Sequence, residues 1–341
     1  RDRPRGSSPA LGEGDRRLLH RHSEGRDPIF VDDIRHQRST SLPSLSFADE
    51  QAVAQQHLRS ILSFLASPEL AQPEGYLQMR DGLIADDGDV ASFTGELNEH
   101  WTIGPKVHGG AMLALCANAA RTAHGGGLQP VAVSASYLWA PDPGPMQLVT
   151  TIRKRGRRVS LVDVELNQGE RTAVRAVITL GEPEHQAPPL LSFNPVVPLM
   201  TPEPPPGLEP IGPGHPMEHI VHLAHGCDIR PALTTLGPRS DGGPPVIEMW
   251  VRPKDADPDV LFALLCGDVS APVTFAVNRI GWAPTVQLTA YLRAIPADGW
   301  LRVICSCVQI GQDWFDEDHT VVDREGRIVV QSRQLAMVPG Q

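Results

Sequence analysis

One order of elements occurs twice along this chain of 341 residues. In each half, extended residues precede a strongly apolar helical segment, and several runs with period-two alternation of apolar side chains follow. Runs of this kind joined by short turns pair as antiparallel strands. The pattern therefore predicts an α+β chain of two similar repeats, each a long antiparallel sheet around one buried helix.

The first repeat contains the clearest helix signal. Residues 111–121 are apolar almost all round, which predicts a helix buried on most sides. His108, Gly109 and Gly110 stand at its start, and a run of three glycines at 125–127 ends it. The strand-like runs that follow are 129–139, 145–153, 159–168 and 170–180.

The second repeat is predicted to begin with a strand over 246–251. Asp257 and Pro258 then open a helix, with Asp257 as the N-cap. The later strand-like runs are 284–293, 300–310, 319–323 and 326–338.

The rest of the chain is divided by composition. Residues 1–45 are predicted to be a disordered tail and 46–71 an N-terminal helical segment, followed by the first repeat over 72–185. Sixteen of the 33 prolines fall in residues 183–245, which predicts a linker over 186–245 with little regular structure. The second repeat takes 246–341.

Charge and cysteine content exclude several classes of protein. The net charge of −10 has the wrong sign for a typical nucleic-acid-binding protein, and no run of 18 apolar residues predicts a transmembrane helix. Five cysteines without framework spacing indicate reduced thiols, and no His/Cys/carboxylate spacing suggests a metal site. We therefore expect a cytoplasmic protein without a metal or nucleic-acid partner.

Three segments of the first repeat resemble motifs of one known family. They are Val107-His108-Gly109-Gly110, Ser136-Tyr137-Leu138-Trp139-Ala140-Pro141 and the Arg-Gly-Ser segment over 154–160. In order and spacing they resemble the acyl-CoA thioesterase II (TesB-like) family, in an actinobacterial type that also has the Trp282–Gln287 segment. The resemblance implies a double hotdog fold whose repeats pair within one chain, and higher association of these pseudo-dimers is plausible. It implies hydrolysis of a fatty acyl-CoA to a fatty acid and CoA, without a cofactor beyond the CoA of the substrate.

The family uses an Asp, a Thr or Ser, and a Gln from the second repeat as its catalytic trio. By resemblance Gln334 takes the Gln position, and Gln287 stands where the family has its Asp. The Thr position falls near Val308 or Gln309. This departure leaves an alternative open: a double hotdog protein that binds an acyl-CoA or acyl chain without hydrolysing it. Hydration of an enoyl-CoA is a third possibility, which would need an Asp/His pair.

Thioester hydrolysis needs an activated water and a stabilised oxyanion. Gly109 and Gly110 at a helix N-terminus predict an oxyanion site, with His108 orienting the substrate, although the glycines could serve only packing and His108 could be a satisfied half-buried side chain. Asp268 is the best candidate for the carboxylate, or else it merely ends a helix.

Two charged runs are open to more than one interpretation. The acidic run at Asp313, Asp316, Glu317 and Asp318 favours a solvated loop. The arginines at 153, 155, 157 and 158 either contact CoA phosphates or lie on a plain surface strand.

Overall fold

The computed structural model describes residues 75–85, 91–125, 127–184 and 187–340. The predicted tail at 1–45 and the predicted helical segment at 46–71 lie outside these ranges. Within them, no helix combines the length and the apolar character needed to cross a bilayer. All five cysteines are buried and free.

Three α-helices, four short 3₁₀ helices and fourteen strands make up the regular structure of the described ranges. The helices are α1 (Tyr76–Asp81), α2 (Gly109–His124) and α3 (Val260–Cys266). The strands of the first repeat are β1 (Ile84–Ala85), β2 (Ser92–Leu97), β3 (Thr102–Ile103), β4 (Lys106–Val107), β5 (Gln129–Tyr137), β6 (Gly144–Lys154), β7 (Ser160–Gln168) and β8 (Arg171–Gly181). The remaining strands are β9 (Cys227–Pro231), β10 (Val246–Pro253), β11 (Thr285–Leu292), β12 (Leu301–Ser306), β13 (Trp314–Val322) and β14 (Ile328–Met337).

Twelve of these strands form one continuous sheet in the order β1-β2-β6-β7-β8-β5-β11-β14-β13-β12-β10-β9. The repeats join where β5 pairs antiparallel with β11, from Ser136 opposite Gln287 to Ala132 opposite Tyr291. Helices α2 and α3 are packed against each other inside this sheet. The predicted double hotdog fold, with its α+β class, is therefore confirmed.

Helix α2 forms the centre of the first repeat. Every residue from Gly110 to Ala120 is buried, and the many alanines among them allow the strands to approach closely. The helix ends at Gly125, whose φ of 68° places it in the left-handed region, and its N–H donates to Arg121 O.

The basic segment after β6 caps the end of α2. Nη1 of Arg155 donates to the carbonyl oxygen of His124 over 2.7 Å, and Oγ of Ser160 shares a 2.9 Å hydrogen bond with Nε2 of His124. A helix of 16 residues is about 24 Å long. This family-like motif therefore stabilises the C-terminal end of α2, far from the Gly-Gly end.

The proline-rich linker contributes to the sheet. Strand β9 pairs with β10 from Pro231 opposite Met249 to Cys227 opposite Pro253, so the second repeat's sheet begins before the predicted boundary at 246. Proline is tolerated here because β9 lies at the sheet edge, where an N–H to a further strand is not needed.

Three of the four acids in the run at 313–318 lie on strand β13, so the prediction of a solvated loop holds for Asp313 and is wrong for the other three. Side chains alternate along this strand, so Phe315, Glu317 and His319 are buried while Asp316 and Asp318 lie on the other face. Asp316 there pairs with Arg333 at 3.0 Å. Four acids in six residues hid a strand of period two.

The N-cap of α3 is Asp259, two residues later than predicted. Its Oδ1 accepts hydrogen bonds from the backbone N–H groups of Leu261 and Phe262, at 3.0 and 2.9 Å. The hydroxyl of Tyr76 also donates to Asp259, which ties α1 to α3. Asp257 is exposed because the helical backbone begins only at Val260.

These two aspartates form a matched pair for a stability test. We expect Asp259→Ala to lower the free energy of unfolding by about 1–3 kcal/mol, since two helix N–H groups and a buried hydroxyl lose their acceptor. Asp257→Ala should stay within about 0.5 kcal/mol of wild type. Urea unfolding measures both, and equal losses would contradict the assignment.

Candidate functional site

A cavity of about 430 Å³ lies between the two repeats. The first repeat contributes the start of α2 and the Leu138–Ala140 segment after β5, and the second contributes residues 268–272, 281–286 and parts of β13 and β14. The linker covers another side with Ile211, Met217, Ile220, Val221, Ile229, Pro231 and Leu236. The walls are predominantly apolar, as in pockets that bind hydrophobic ligands.

The main polar side chains of the cavity come from the second repeat and from the turn at His108. Asp268 follows α3, Thr285 opens β11, and Glu317 and Gln334 lie opposite each other on β13 and β14. All four contact the cavity. The sequence prediction named Asp268 and Gln334 among them; it missed Thr285 and assigned Glu317 to a loop.

The carboxylate of Asp268 rests on the N-terminus of α2. The backbone N–H of Gly110 hydrogen-bonds it, which lowers its pKa, but the larger effect of burial raises that pKa from 3.8 to about 7. A carboxylate at a helix N-terminus is also favoured by the helix dipole. Asp268 is therefore poised to exchange a proton near neutral pH.

The two glycines make this contact sterically possible. A Cβ on Gly109 would lie 2.5 Å from Oδ2 of Asp268, and a Cβ on Gly110 would lie 2.6 Å from the carbonyl oxygen of Leu265. The sequence analysis expected them to receive a substrate oxyanion. In the structure, the N–H of Gly110 instead binds the carboxylate of Asp268.

His108 joins the two helices at the same place. Its Nδ1 accepts from the N–H of Ala111 over 3.3 Å, as the N-cap of α2, so the proton lies on Nε2, which donates to the carbonyl oxygen of Asp268 over 2.8 Å. Burial lowers the pKa of His108 to about 4. The ring is therefore neutral and both its nitrogens are used, although its edge still lines the cavity.

Thr285, Gln334 and Glu317 form one hydrogen-bonded chain. Oγ1 of Thr285 donates to Oε1 of Gln334 over 2.7 Å, and Nε2 of Gln334 donates to Oε2 of Glu317. The backbone N–H of Val273 donates to Oε1 of Glu317 over 2.8 Å. Burial is the main reason that the pKa of Glu317 rises to about 8, and Asp268 adds to the rise.

The structure places Gln287 outside the site. The pairing of β11 with β14 shifts register between Thr285 and Gln287, so two residues that regular alternation would put on one face point to opposite faces. Thr285 contacts the cavity, whereas Gln287 is exposed. Val308, the other predicted neighbour of the Thr position, is 78% exposed. Thr285 and Asp268 therefore contact the cavity, and Gln287 does not.

Cys305, Glu317 and His319 could be considered for a metal ion, because one ligand atom of each lies within 4.8 Å of the others. Protein contacts already use several of these atoms. Both oxygens of Glu317 accept hydrogen bonds, and Nε2 of His319 is bonded to Oγ of Ser270 over 2.9 Å. A metal would have to displace these contacts, so the residues fit a hydrogen-bonded layer better than a metal site.

Comparison with known proteins agrees with this arrangement. Residues 97–181 match the model of the acyl-CoA thioesterase N-terminal domain, and residues 198–338 match that of the C-terminal domain. The chain belongs to the acyl-CoA thioesterase family. The C-terminal match includes much of the linker, in keeping with the pairing of β9 with β10 of the second repeat.

Relatives match this chain in sequence, and solved structures match it in fold. Proteins of Mycobacterium tuberculosis and Mycobacterium bovis, both named only as uncharacterized, are 69% identical over 278 residues, which are 76% of this chain and 96% of each relative. A candidate thioesterase II from Thermobifida fusca has a TM-score of 0.64 at 24% identity, covering 77% of this chain and 98% of its own. An acyl-CoA thioesterase II from Mycobacterium marinum has a TM-score of 0.54 at 14% identity, covering 73% and 92%. Both structures share the fold of this protein.

The raised pKa of Asp268 predicts a pH-dependent cost to stability. Between about pH 4 and 7 the folded state binds more protons than the unfolded state, so the free energy of unfolding falls as pH rises, and the cost is complete above pH 7. Asn at this position cannot ionise. We therefore expect the free energy of unfolding of Asp268→Asn, taken relative to that of wild type, to rise by about 2–4 kcal/mol from pH 5 to pH 8.

Urea unfolding at the two pH values measures this difference. Glu317 ionises in both proteins, but the charge of Asp268 raises its pKa, so the difference measures Asp268 together with its coupling to Glu317. An Asp268→Asn protein that is less stable than wild type by the same amount at both pH values would assign Asp268 to the helix end alone.

Proposed function

We propose that the protein hydrolyses a fatty acyl-CoA to a free fatty acid and CoA in the cavity between the repeats. The observation that carries this proposal is a buried Asp268, with a pKa near 7, on the same apolar cavity as Thr285 and Gln334. These are an Asp, a Thr and a Gln from the second repeat, the residue types that the family resemblance implies. The acyl chain would lie along the apolar walls.

The reaction begins with a water held by Asp268, Thr285 and Gln334. Asp268 takes one proton of the water while the oxygen of that water bonds to the thioester carbonyl carbon. The carbonyl oxygen becomes negatively charged in the tetrahedral intermediate, and the positive end of the α2 dipole lies nearby to stabilise that charge. The carbon–sulfur bond then breaks, and the proton on Asp268 passes to the CoA thiolate, which leaves as the thiol.

The main argument for the binding-module alternative no longer applies. That alternative was favoured because Gln287 stands where a carboxylate was expected, but Asp268 provides a carboxylate on the cavity. Enoyl-CoA hydration needs an Asp/His pair that exchanges protons. His108 is near Asp268, with Nε2 3.8 Å from Oδ2, but it is neutral and both ring nitrogens hold the helices together. Thioester hydrolysis is therefore the better-supported reaction.

Release of the CoA thiol from a panel of acyl-CoAs of different chain lengths tests the proposal directly. We expect Gln334→Ala to lower kcat/KM by about 10²–10³ and Asp268→Asn by about 10²–10⁴, because the water loses its orienting group or its base. Both variants should keep a wild-type circular dichroism spectrum.

Gln287→Ala is the matched control, since it removes a glutamine from the outer face of β11. It should hydrolyse each substrate at the wild-type rate. If wild type binds acyl-CoA but releases no thiol from any member of the panel, the hydrolase proposal fails and the binding module takes its place.

A further inference from the structure

Glu317 is the carboxylate of the cavity that the reaction above does not use. It is 2% exposed, it lines the cavity, and it lies directly opposite Gln334 in the pairing of β13 with β14. Polar residues on the inner face of a hotdog sheet displace apolar packing, so a buried glutamate there needs a reason. The reasoning that follows rests on the proposed thioester hydrolysis.

The hydrogen bonds of Glu317 determine which groups of Gln334 and Thr285 donate and which accept. An ionised carboxylate can only accept hydrogen bonds, so Gln334 must turn its NH₂ group toward Glu317 and its carbonyl oxygen toward Thr285. Thr285 must then donate its hydroxyl proton to that oxygen. The chain therefore donates one way, from Thr285 through Gln334 to Glu317.

This direction decides what Thr285 can offer in the cavity. Its single proton is used by Gln334, so its oxygen presents lone pairs only. A water that attacks a carbonyl must point a lone pair at the carbon and give both of its protons to acceptors. Asp268 is one acceptor, and Thr285 can be the second only while the chain runs in this direction.

We infer that Glu317 is a positioning residue whose ionised form fixes the amide of Gln334 and thereby makes Thr285 an acceptor for the attacking water. Protonation reverses the chain. Because Oε1 accepts from Val273, the proton sits on Oε2 and faces Gln334. The amide then turns, its NH₂ group donates to Thr285, and the threonine presents a proton to the cavity.

Several titratable groups surround Glu317 and affect this switch. Asp268 faces it from the segment after α3, Cys305 from β12 and Cys307 from the residue after that strand, and Asp316 and His319 lie on its own strand. The negative charges of Asp268 and Asp316 oppose its ionisation, while the Val273 N–H and the Gln334 amide favour it. Because Asp268 and Glu317 must both lose a proton, the acid side of the pH profile should be steeper than for one ionisation.

The test measures kcat and KM from pH 5.5 to 9.5 for wild type and Glu317→Gln, a variant that mimics the protonated state. We expect the acid limb of log kcat to approach a slope of two in wild type and one in Glu317→Gln. The plateau kcat of the variant should be about tenfold to a hundredfold lower, with KM within about threefold. Asp318→Asn is the matched control, because it removes a carboxylate from the outer face of the same strand; it should keep the wild-type profile.

A double-mutant cycle separates positioning from simple structural support. If Glu317 acts through Thr285, then Glu317→Gln should cost less than about twofold when added to Thr285→Val, since the chain is already cut. The inference would be overturned if the losses in kcat of the two single variants multiplied in the double variant and the melting temperature fell as well. A Glu317→Gln protein with the wild-type kcat and slope would also overturn it.

A readout that needs no turnover keeps this inference separate from the proposed function. The side-chain amide of Gln334, labelled with ¹⁵N-glutamine and identified by its absence in Gln334→Met, should shift with pH in wild type and stay constant in Glu317→Gln. If wild type releases no thiol yet shows this titration, hydrolysis fails and the hydrogen-bond direction stands. A Gln334 amide that does not respond to Glu317 would overturn the inference whether or not the protein is active.

Discussion

The contact between the Asp268 carboxylate and the N-terminus of α2 is the interaction on which the site depends. It joins the two helices, it requires glycine at 109 and 110, and it holds a carboxylate with a raised pKa at an apolar cavity. His108 closes the same junction from the other side by bonding Ala111 and the backbone of Asp268. A side chain that titrates near neutral pH is thus fixed by elements of both repeats, so neither repeat could form the site alone.

Side chains on the inner face of the second repeat's strands hold the segment that contains Asp268. Ser332 donates to the carbonyl oxygen of Gly267, His319 is bonded to Ser270, and Glu317 accepts from Val273. Three hydrogen bonds from two strands therefore fix seven consecutive residues. Apolar side chains in these positions would pack, but they could not determine the orientation of this segment, which makes the polar layer a device for precision.

The sequence predicted the fold well because its strongest signals are periodic. The apolar run of α2, the glycine at 125 and the alternation of β5 to β8 are all local patterns, and the structure has them at nearly the predicted residues. The site is harder to predict, because part of its geometry depends on contacts between residues that are distant in the sequence. The family resemblance points to Gln287, and a one-residue bulge in β11 that turns this side chain outward cannot be seen in the sequence without the partner strand. Glu317 is hard to predict because a run of charged residues favours a loop by composition. Regular alternation through Phe315, Glu317 and His319 was the signal that could have revealed it.

The linker gives the cavity a wall of a different kind from the others. Most of its remaining walls belong to the paired sheet and the two helices, where a change in one residue disturbs many neighbours. Ile211, Met217 and Ile220 belong instead to a proline-rich segment that spans the gap between β8 and β9 with few backbone pairings. Such a segment can be lengthened, shortened or replaced at small cost to the sheet. The shape of the cavity at this wall can therefore change while the junction of Asp268 with α2 stays constant. For the proposed thioesterase, substrate range and reaction chemistry could then diverge independently within one fold.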